Sequence, residues 1–423
     1  MVIIVGAGLA GLACANRLQQ AGLDWLLLES EEHPGGRVAT EVTPEGFRLD
    51  RGFQVLLDSY PTARRLLDLP ALQPRYFDSG ALMIGEDWEE RLLNPLRHPE
   101  GLLPALTGRS FTLREKALLA MYAAFQILRS DEGLLGHETG RSAMEELRRL
   151  GLDGAVLEKF LRPFFAGVFL DNDLGTDSSV FRYDLKKFAL GRAMLPAKGM
   201  GEIPRQLASR LPWSCQCYGA PVASLEMGGG KVSAVRLASG DRIECSALVL
   251  ATGEPATRSL LGLPPEGGRS WSEVTTLYFT GEDPLYEGAL LVLPEGKDRL
   301  VRHFTDLTNT APEYAPPGRL LLSATILKSH ELDQAGLIRH AREEIAAIFP
   351  AFIGWEFLKE VRVRHALPSQ RSGFSALQLS RRQGANLWLA GDQVAHASIE
   401  SAMASGLLAA DEVIAQAPVS ESI

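Results

Sequence analysis

Val2-Ile3-Ile4-Val5-Gly6-Ala7-Gly8-Leu9-Ala10-Gly11 decides how this chain folds. Four apolar β-branched residues in a row read as a short buried strand. The glycines at 6, 8 and 11 then keep the G-x-G-x-x-G spacing, and an apolar-periodic stretch from Leu12 to Ala21 reads as a helix. Gly22 ends it, and Trp25-Leu26-Leu27-Leu28 forms a second apolar run that closes on Glu29. The order strand, glycine turn, helix, strand, acid is one βαβ unit of a dinucleotide-binding domain. Gly6 permits the tight turn, Gly8 lets backbone approach a pyrophosphate, and Gly11 lets helix pack closely on strand. The helix N-terminus, opening at Leu9 and Ala10, offers free N–H groups and a positive dipole end to the phosphates. Glu29 stands 18 residues after Gly11, near the roughly 20-residue offset of an acid that binds ribose hydroxyls, with Ser30 beside it. An acid there disfavours a 2′-phosphate, so NADP is the least favoured dinucleotide.

His33-Pro34-Gly35-Gly36-Arg37 follows the second strand at once. With this turn the chain resembles the superfamily of flavin-containing amine oxidases, protoporphyrinogen oxidases and phytoene desaturases. The resemblance implies that Gly35, Gly36 and Arg37 lie along the pyrophosphate of a non-covalently held FAD, a role that suits a planar guanidinium. It extends to the apolar run Leu387-Trp388-Leu389-Ala390-Gly391-Asp392 and the small residues after it, His396 to Gly406. In the family this aspartate binds the ribityl and pyrophosphate region, and the following helix turns its N-terminus, here Ser398 and Ile399, to the flavin pyrimidine. A helix N-terminus stabilises the negative charge of a reduced flavin. The resemblance also implies contacts at Gly52, Phe53 and Gln54 near the isoalloxazine, at Thr252 and Gly253 after the run Leu248-Val249-Leu250-Ala251, and at Val222 near adenine. The segment Leu195 to Leu207 is similar to a P-x-G-G-M-x-x-hydrophobic-P signature of desaturases and protoporphyrinogen oxidases, with Lys198 where glycine is common.

Composition sets bounds on partners. A chain of 423 residues exceeds one ordinary core, so two domains are expected. The net charge of −9 and pI near 5.5 give no general attraction to nucleic acid or anionic lipid. Cys14, Cys215, Cys217 and Cys245 show neither zinc spacing nor a disulfide framework, so no metal is expected. Cys14 reads as a small core residue of the first helix. Reduced cysteines and a first strand that begins at Val2 point to a cytoplasmic protein without a signal peptide. The apolar stretch from Ala117 to Leu128 is too short to span a bilayer and reads as a buried helix of the substrate domain, with peripheral membrane contact the lesser alternative that the family resemblance allows.

Pro/Gly-rich joints near 70–80, 191–204, 262–269 and 367–374 divide the chain into alternating pieces. The expected fold class is α/β: a Rossmann-type FAD-binding domain from 1–75, 195–270 and 371–423, interleaved with a mixed α+β, amine oxidase-like substrate-binding domain from 76–194 and 271–370. Helical patterns cover Leu113 to Arg129, Ser142 to Leu150 and Asp333 to Ile348, and strand patterns cover Val274 to Thr280 and Leu320 to Ile326.

The family implies an oxidoreductase in which hydride passes from a substrate carbon to flavin N5 and oxygen or a quinone reoxidises the cofactor. Three classes of substrate or partner differ in what they require. Amine oxidation in this superfamily often uses a tyrosine cage, a strand lysine near N5 and, in some members, a C-terminal cysteinyl link. This chain has no Tyr after Tyr314 and no Cys after Cys245, and neither Lys297 nor Lys328 matches the lysine. Dehydrogenation or isomerisation of an apolar, isoprenoid-like substrate is therefore preferred, with Arg162 to Leu170, rich in phenylalanine, as a candidate tunnel wall. The same aromatics are as readily explained by core packing. A non-catalytic prenyl-binding module like the Rab GDP-dissociation inhibitors is disfavoured by the intact glycine set, Glu29 and Gly391-Asp392. His396 is the candidate catalytic acid or base. Gln370 and Arg371 are candidates to face the substrate, and Glu400 reads as a first-turn helix acid.

Overall fold

A computed structural model describes residues 1–101, 107–327 and 332–417. Lys328 and the final six residues lie outside them. Five parallel strands form the first sheet, in the order Gln216–Cys217, Trp25–Leu28, Val2–Val5, Ala247–Leu250 and Leu387–Leu389. Each strand is short and almost entirely apolar because the sheet is covered on both faces. Ile4, Leu27 and Val249 pack beneath the helices Leu9–Gln20, Glu202–Ser209 and Ile399–Gln416. Ile3, Val5 and Leu248 pack instead on the antiparallel strands Val222–Gly228, Lys231–Leu237 and Arg242–Glu244.

Two glycines set the spacing of the helical layer. A Cβ on Gly11 would overlap the carbonyl oxygen of Gly6, and one on Gly406 would overlap that of Ala10. Helix Leu9–Gln20 therefore lies against both the first turn and the last helix at backbone distance. Cys14 is fully buried in this layer, and burial raises its thiol pKa.

The second sheet has seven strands in the order Glu356–Pro368, Trp271–Gly281, Leu320–Ile326, Val301–Asp306, Leu291–Pro294, Gly80–Ile84 and Glu89–Leu93. Only Leu291–Pro294 and Gly80–Ile84 pair in parallel; every other neighbour is antiparallel. One face buries Leu277, Phe304, Leu322 and Ala324 in one core cluster with residues of helix Gln334–Ile348. The other looks towards the helices Leu113–Ile127, Arg162–Phe169 and Ser178–Leu190 and towards the first sheet. Tyr278 of this sheet and Tyr314 both hold Asp50, at the end of the short strand Arg48–Asp50, donating to its carbonyl oxygen and to its Oδ2, each at 2.8 Å.

The helix over Leu113–Ile127 corrects the expectation of a buried apolar segment. Its buried residues are Glu115, Tyr122 and Gln126, each with a polar group. Glu115 closes a capping box with Thr112 and accepts the N–H of Val156, Tyr122 donates to Glu146, and Gln126 is buried. Its apolar side faces out, with Met121 62% and Phe125 61% exposed and Leu128, which follows the helix, 85% exposed. Among the described residues no helix is long and apolar enough to cross a membrane.

Candidate functional site

The carboxyl ends of the parallel strands meet at one edge, where open α/β sheets bind their ligands. A cavity of about 1440 Å³ starts there and runs past Gly52–Val55 and the N-terminus of the last helix to the apolar side of helix Leu113–Ile127. Ordinary ligand pockets hold roughly 300–1,000 Å³, so this volume suits two ligands end to end.

At the nucleotide end the walls are backbone. Gly8 precedes helix Leu9–Gln20 in extended conformation, and no side chain caps that helix. A Cβ on Gly8 would meet nothing within 4 Å, and one on Gly36 only the Cα of Gly8. Gly35 pairs with Gly8 in a β-bridge and donates to the Ala7 carbonyl at 3.0 Å, so the second glycine turn lies directly on the first. The uncapped helix start and the open space at Gly8 fit a phosphate chain. Glu29 is buried beside them: its Oε2 accepts the Ala7 N–H at 2.6 Å and its Oε1 accepts Glu31 N–H and Ser30 Oγ, each at 3.0 Å. We expect Glu29→Ala to lower FAD affinity about tenfold to a hundredfold, the range of one hydrogen bond to a charged group. Flavin absorbance retained after dialysis measures this, and full occupancy would remove Glu29 from the site.

Arg37 and Asp392, 355 positions apart, form an ion pair at 2.6 Å. Arg37 also donates to the Ala366 carbonyl and lies over the Trp271 ring. Gly391, at φ +104°, makes the turn that the last strand needs, and its N–H donates to Ser405 Oγ. Gln54 donates to the carbonyls of Arg37 and Arg51, and its buried Oε1 has no partner among the described residues. Ser398 caps the last helix by accepting from Ser401 N–H.

Apart from Gly11, which sits behind the wall in the helix packing, every expected cofactor position from Gly6 to Ile399 lines the cavity, including Val222, Thr252 and Gly253. His396 does not. Its ring nitrogens contact Ser398 and Ser401, its edge lies against Tyr183, and burial with Lys187 nearby lowers its pKa to about 4. This geometry suits a neutral residue that shapes the start of the last helix rather than one that reaches a reacting atom. Gln370 lines the cavity and accepts from Ala397 N–H, whereas Arg371 faces solvent near Asp171. Glu400 accepts the N–H groups of Thr62 and Ala63, so it caps the helix Pro61–Leu66.

Beyond Gly52 the cavity is largely apolar, walled by Leu119, Ala123, Ile127, Phe160, Phe164 and Phe188. The phenylalanines of the 162–170 segment divide their roles: Phe165 is also packed into the helical core, whereas Phe164 stays partly accessible at the wall. Three polar groups on this wall, His303, Thr325 and Asp184, carried no sequence signal. The two histidine and threonine positions depend on strand register, and Asp184 lies in an ordinary helical stretch.

The profile of the flavin containing amine oxidoreductases matches residues 9–414. The 15-cis-phytoene desaturase of Narcissus pseudonarcissus is 24% identical over 98% of this chain and 79% of its own length. A phytoene dehydrogenase of Streptomyces griseus is 27% identical over 62% of this chain and 56% of its own. Among solved structures, an oxidoreductase from Methanosarcina mazei superposes with a TM-score of 0.74 at 17% identity, covering 97% of this chain and 99% of that one. A putrescine oxidase gives 0.73 at 18% identity, covering 98% and 99%. These structural likenesses carry the fold; the profile match carries the family. With a dinucleotide cradle at one end of the cavity and an apolar chamber at the other, the chain belongs to the flavin-containing amine oxidoreductase family and is an FAD-dependent oxidoreductase.

Proposed function

We propose that the protein dehydrogenates or isomerises an apolar, isoprenoid-like small molecule. The observation that carries this is the continuity of one cavity from the phosphate cradle at Gly8 to an apolar chamber and an apolar mouth. Bound FAD supplies the acceptor for a hydride taken from a substrate carbon. The chain's own residues bind and orient. Gly8, Gly35 and Gly36 leave room for the pyrophosphate, Glu29 would hold ribose hydroxyls, and Arg37 and Asp392 would fix the ribityl–phosphate region. The N-terminus of the last helix favours negative charge at the wall it faces. Phe160, Phe164 and Phe188 exclude water from the chamber and hold an extended apolar chain by contact.

The mouth supports entry of a lipid-soluble substrate. Leu96, Ala120, Ala124 and Leu128 line the cavity and are exposed at its rim, and Met121 and Phe125 extend the apolar surface beside it. Such a rim suits peripheral contact with a bilayer in which the substrate is dissolved. The desaturase relatives support an apolar substrate as well.

A second reading, oxidation of an amine, is favoured by one group. Asp184 stands in the cavity wall, and burial raises its pKa to about 7. An ammonium would find its counter-ion there. Anaerobic loss of flavin absorbance separates the two readings, with carotenoid precursors supplied in phospholipid vesicles beside amines, porphyrinogens and quinones. We expect an isoprenoid to bleach the flavin; bleaching by amines alone would reverse the order.

A further inference from the structure

A row of polar side chains crosses the sheet floor of the chamber. Thr276 stands opposite Thr325, and Thr325 stands opposite His303, on three adjacent strands. Residues opposite one another in a sheet share a face, so the three side chains lie on one side. Their sequence neighbours Leu277, Ala324 and Phe304 lie on the other, in the apolar cluster with residues of helix Gln334–Ile348. The row is buried, with Thr276, Thr325 and His303 at 0%, 2% and 3% exposure, yet both threonine hydroxyls and both imidazole nitrogens have no partner among the described residues. Buried polar groups are normally satisfied, and an unmade bond there is costly.

The row borders the cavity. His303 and Thr325 line it, and a Cβ on Gly52 would come within 3.8 Å of Thr276 Oγ1. The imidazole fills a slot that Gly167 leaves for it, where any Cβ would overlap the ring, and Phe53 meets it edge-on at 5.4 Å. Burial, with Arg302 behind it, lowers the His303 pKa to about 3, so the ring is neutral. A neutral imidazole has one donor and one acceptor, and each hydroxyl can be either. The two terminal nitrogens of the Arg302 guanidinium donate to the carbonyls of Gly296, Lys297 and Arg299.

We infer that His303 and Thr325, with Thr276 beside them, hold a neutral oxygen function, a hydroxyl or a carbonyl, carried by the apolar substrate. An uncharged donor–acceptor set in an apolar wall recognises such an oxygen, whereas a carboxylate would call for a cation and an ammonium for a carboxylate. The substrate class is then an oxygenated isoprenoid-like molecule rather than a bare hydrocarbon. This inference rests on the apolar-substrate reading above.

Binding to the FAD-loaded protein tests it, with geranylgeraniol and the hydrocarbon that lacks its hydroxyl as probes. We expect the alcohol to bind about tenfold or more tightly than the hydrocarbon, the effect of one well-made hydrogen bond in a dry site. His303→Leu and Thr325→Val should each bring the alcohol towards the hydrocarbon's affinity and leave the hydrocarbon unchanged, while His303→Gln keeps part of the preference. Thermal stability should hold or rise in the apolar variants, because the fold loses no bond. Thr325→Val removes only a hydroxyl and keeps the test open if His303→Leu fails to fold. Equal affinity of the wild type for both probes, or a preference that survives both apolar variants, overturns the inference while the apolar-substrate reading stands. Binding of neither probe removes that reading and this inference with it. A fall in stability with unchanged preference makes the row structural.

Discussion

Gly8→Val should abolish FAD retention while leaving thermal stability near that of the apoprotein, whereas Gly11→Val should lose both. Gly8 sits at φ −73° and ψ 179°, a conformation that valine adopts freely, and a Cβ there meets nothing within 4 Å. The new methyls would enter the space beside Gly36 and the uncapped helix start, where the pyrophosphate belongs. Gly11 differs in kind. Its Cβ would overlap the Gly6 carbonyl, a backbone atom fixed by the first strand and unable to yield as a flexible side chain can. Pushing helix Leu9–Gln20 outward would also open its contact with Gly406 on the last helix. Overpacking of this sort costs about 1–3 kcal/mol and more where backbone must shift. Flavin absorbance after gel filtration and melting of the apoproteins separate the two effects. Full FAD occupancy in Gly8→Val would sink the cradle assignment, and an unchanged melting temperature in Gly11→Val would sink the packing argument.

That contrast shows why the nucleotide end was legible in the sequence. Glycine spacing, a strand-terminal acid and a Gly-Asp turn are local signals, and each names a backbone constraint that the fold then satisfies. The strands Val2–Val5 and Trp25–Leu28 and the helix limits near Leu113 and Asp333 were readable for the same reason. Relations between distant segments were not. Nothing near Arg37 points to Asp392, and no periodicity reveals that Thr276, Thr325 and His303 share one face, because that follows from the register of three strands. Helix Leu113–Ile127 misled the reading through its composition. Apolar content implies burial only when the polar side has water to face, and here Glu115 and Tyr122 face Val156 and Glu146 instead. His396 stands just before the last helix, where the sequence places it, and its nitrogens are engaged by that helix's own serines, a side-chain contact that no sequence pattern shows.

Asp184 makes stability depend on pH across the neutral range. Its carboxyl is 7% exposed on the cavity wall, and burial lifts its pKa from 3.8 to about 7 against the pull of Lys187. Lys187 is itself bonded to Asp131 at 2.5 Å, so it compensates only in part. Burial, and after it nearby charges that include Asp184 and Glu400, hold the phenols of Tyr60 and Tyr183 protonated in the same neighbourhood. A carboxyl whose folded pKa exceeds its unfolded value binds more protons in the folded state between the two values, so stability falls as pH rises from about 4 to about 7 and is level above. Each pKa unit corresponds to about 1.4 kcal/mol. Asp184→Asn keeps the size of the side chain and removes the ionisation. Its stability relative to the wild type should therefore grow by about 2–3 kcal/mol between pH 5 and pH 8, read as the difference in unfolding free energy of the apoproteins at the two pH values. The same difference at both would show that Asp184 stays ionised throughout, with a counter-charge in the wall. An amine that restores the wild type at pH 8 and leaves Asp184→Asn unmoved would make this carboxylate a cation site and bring the amine reading forward.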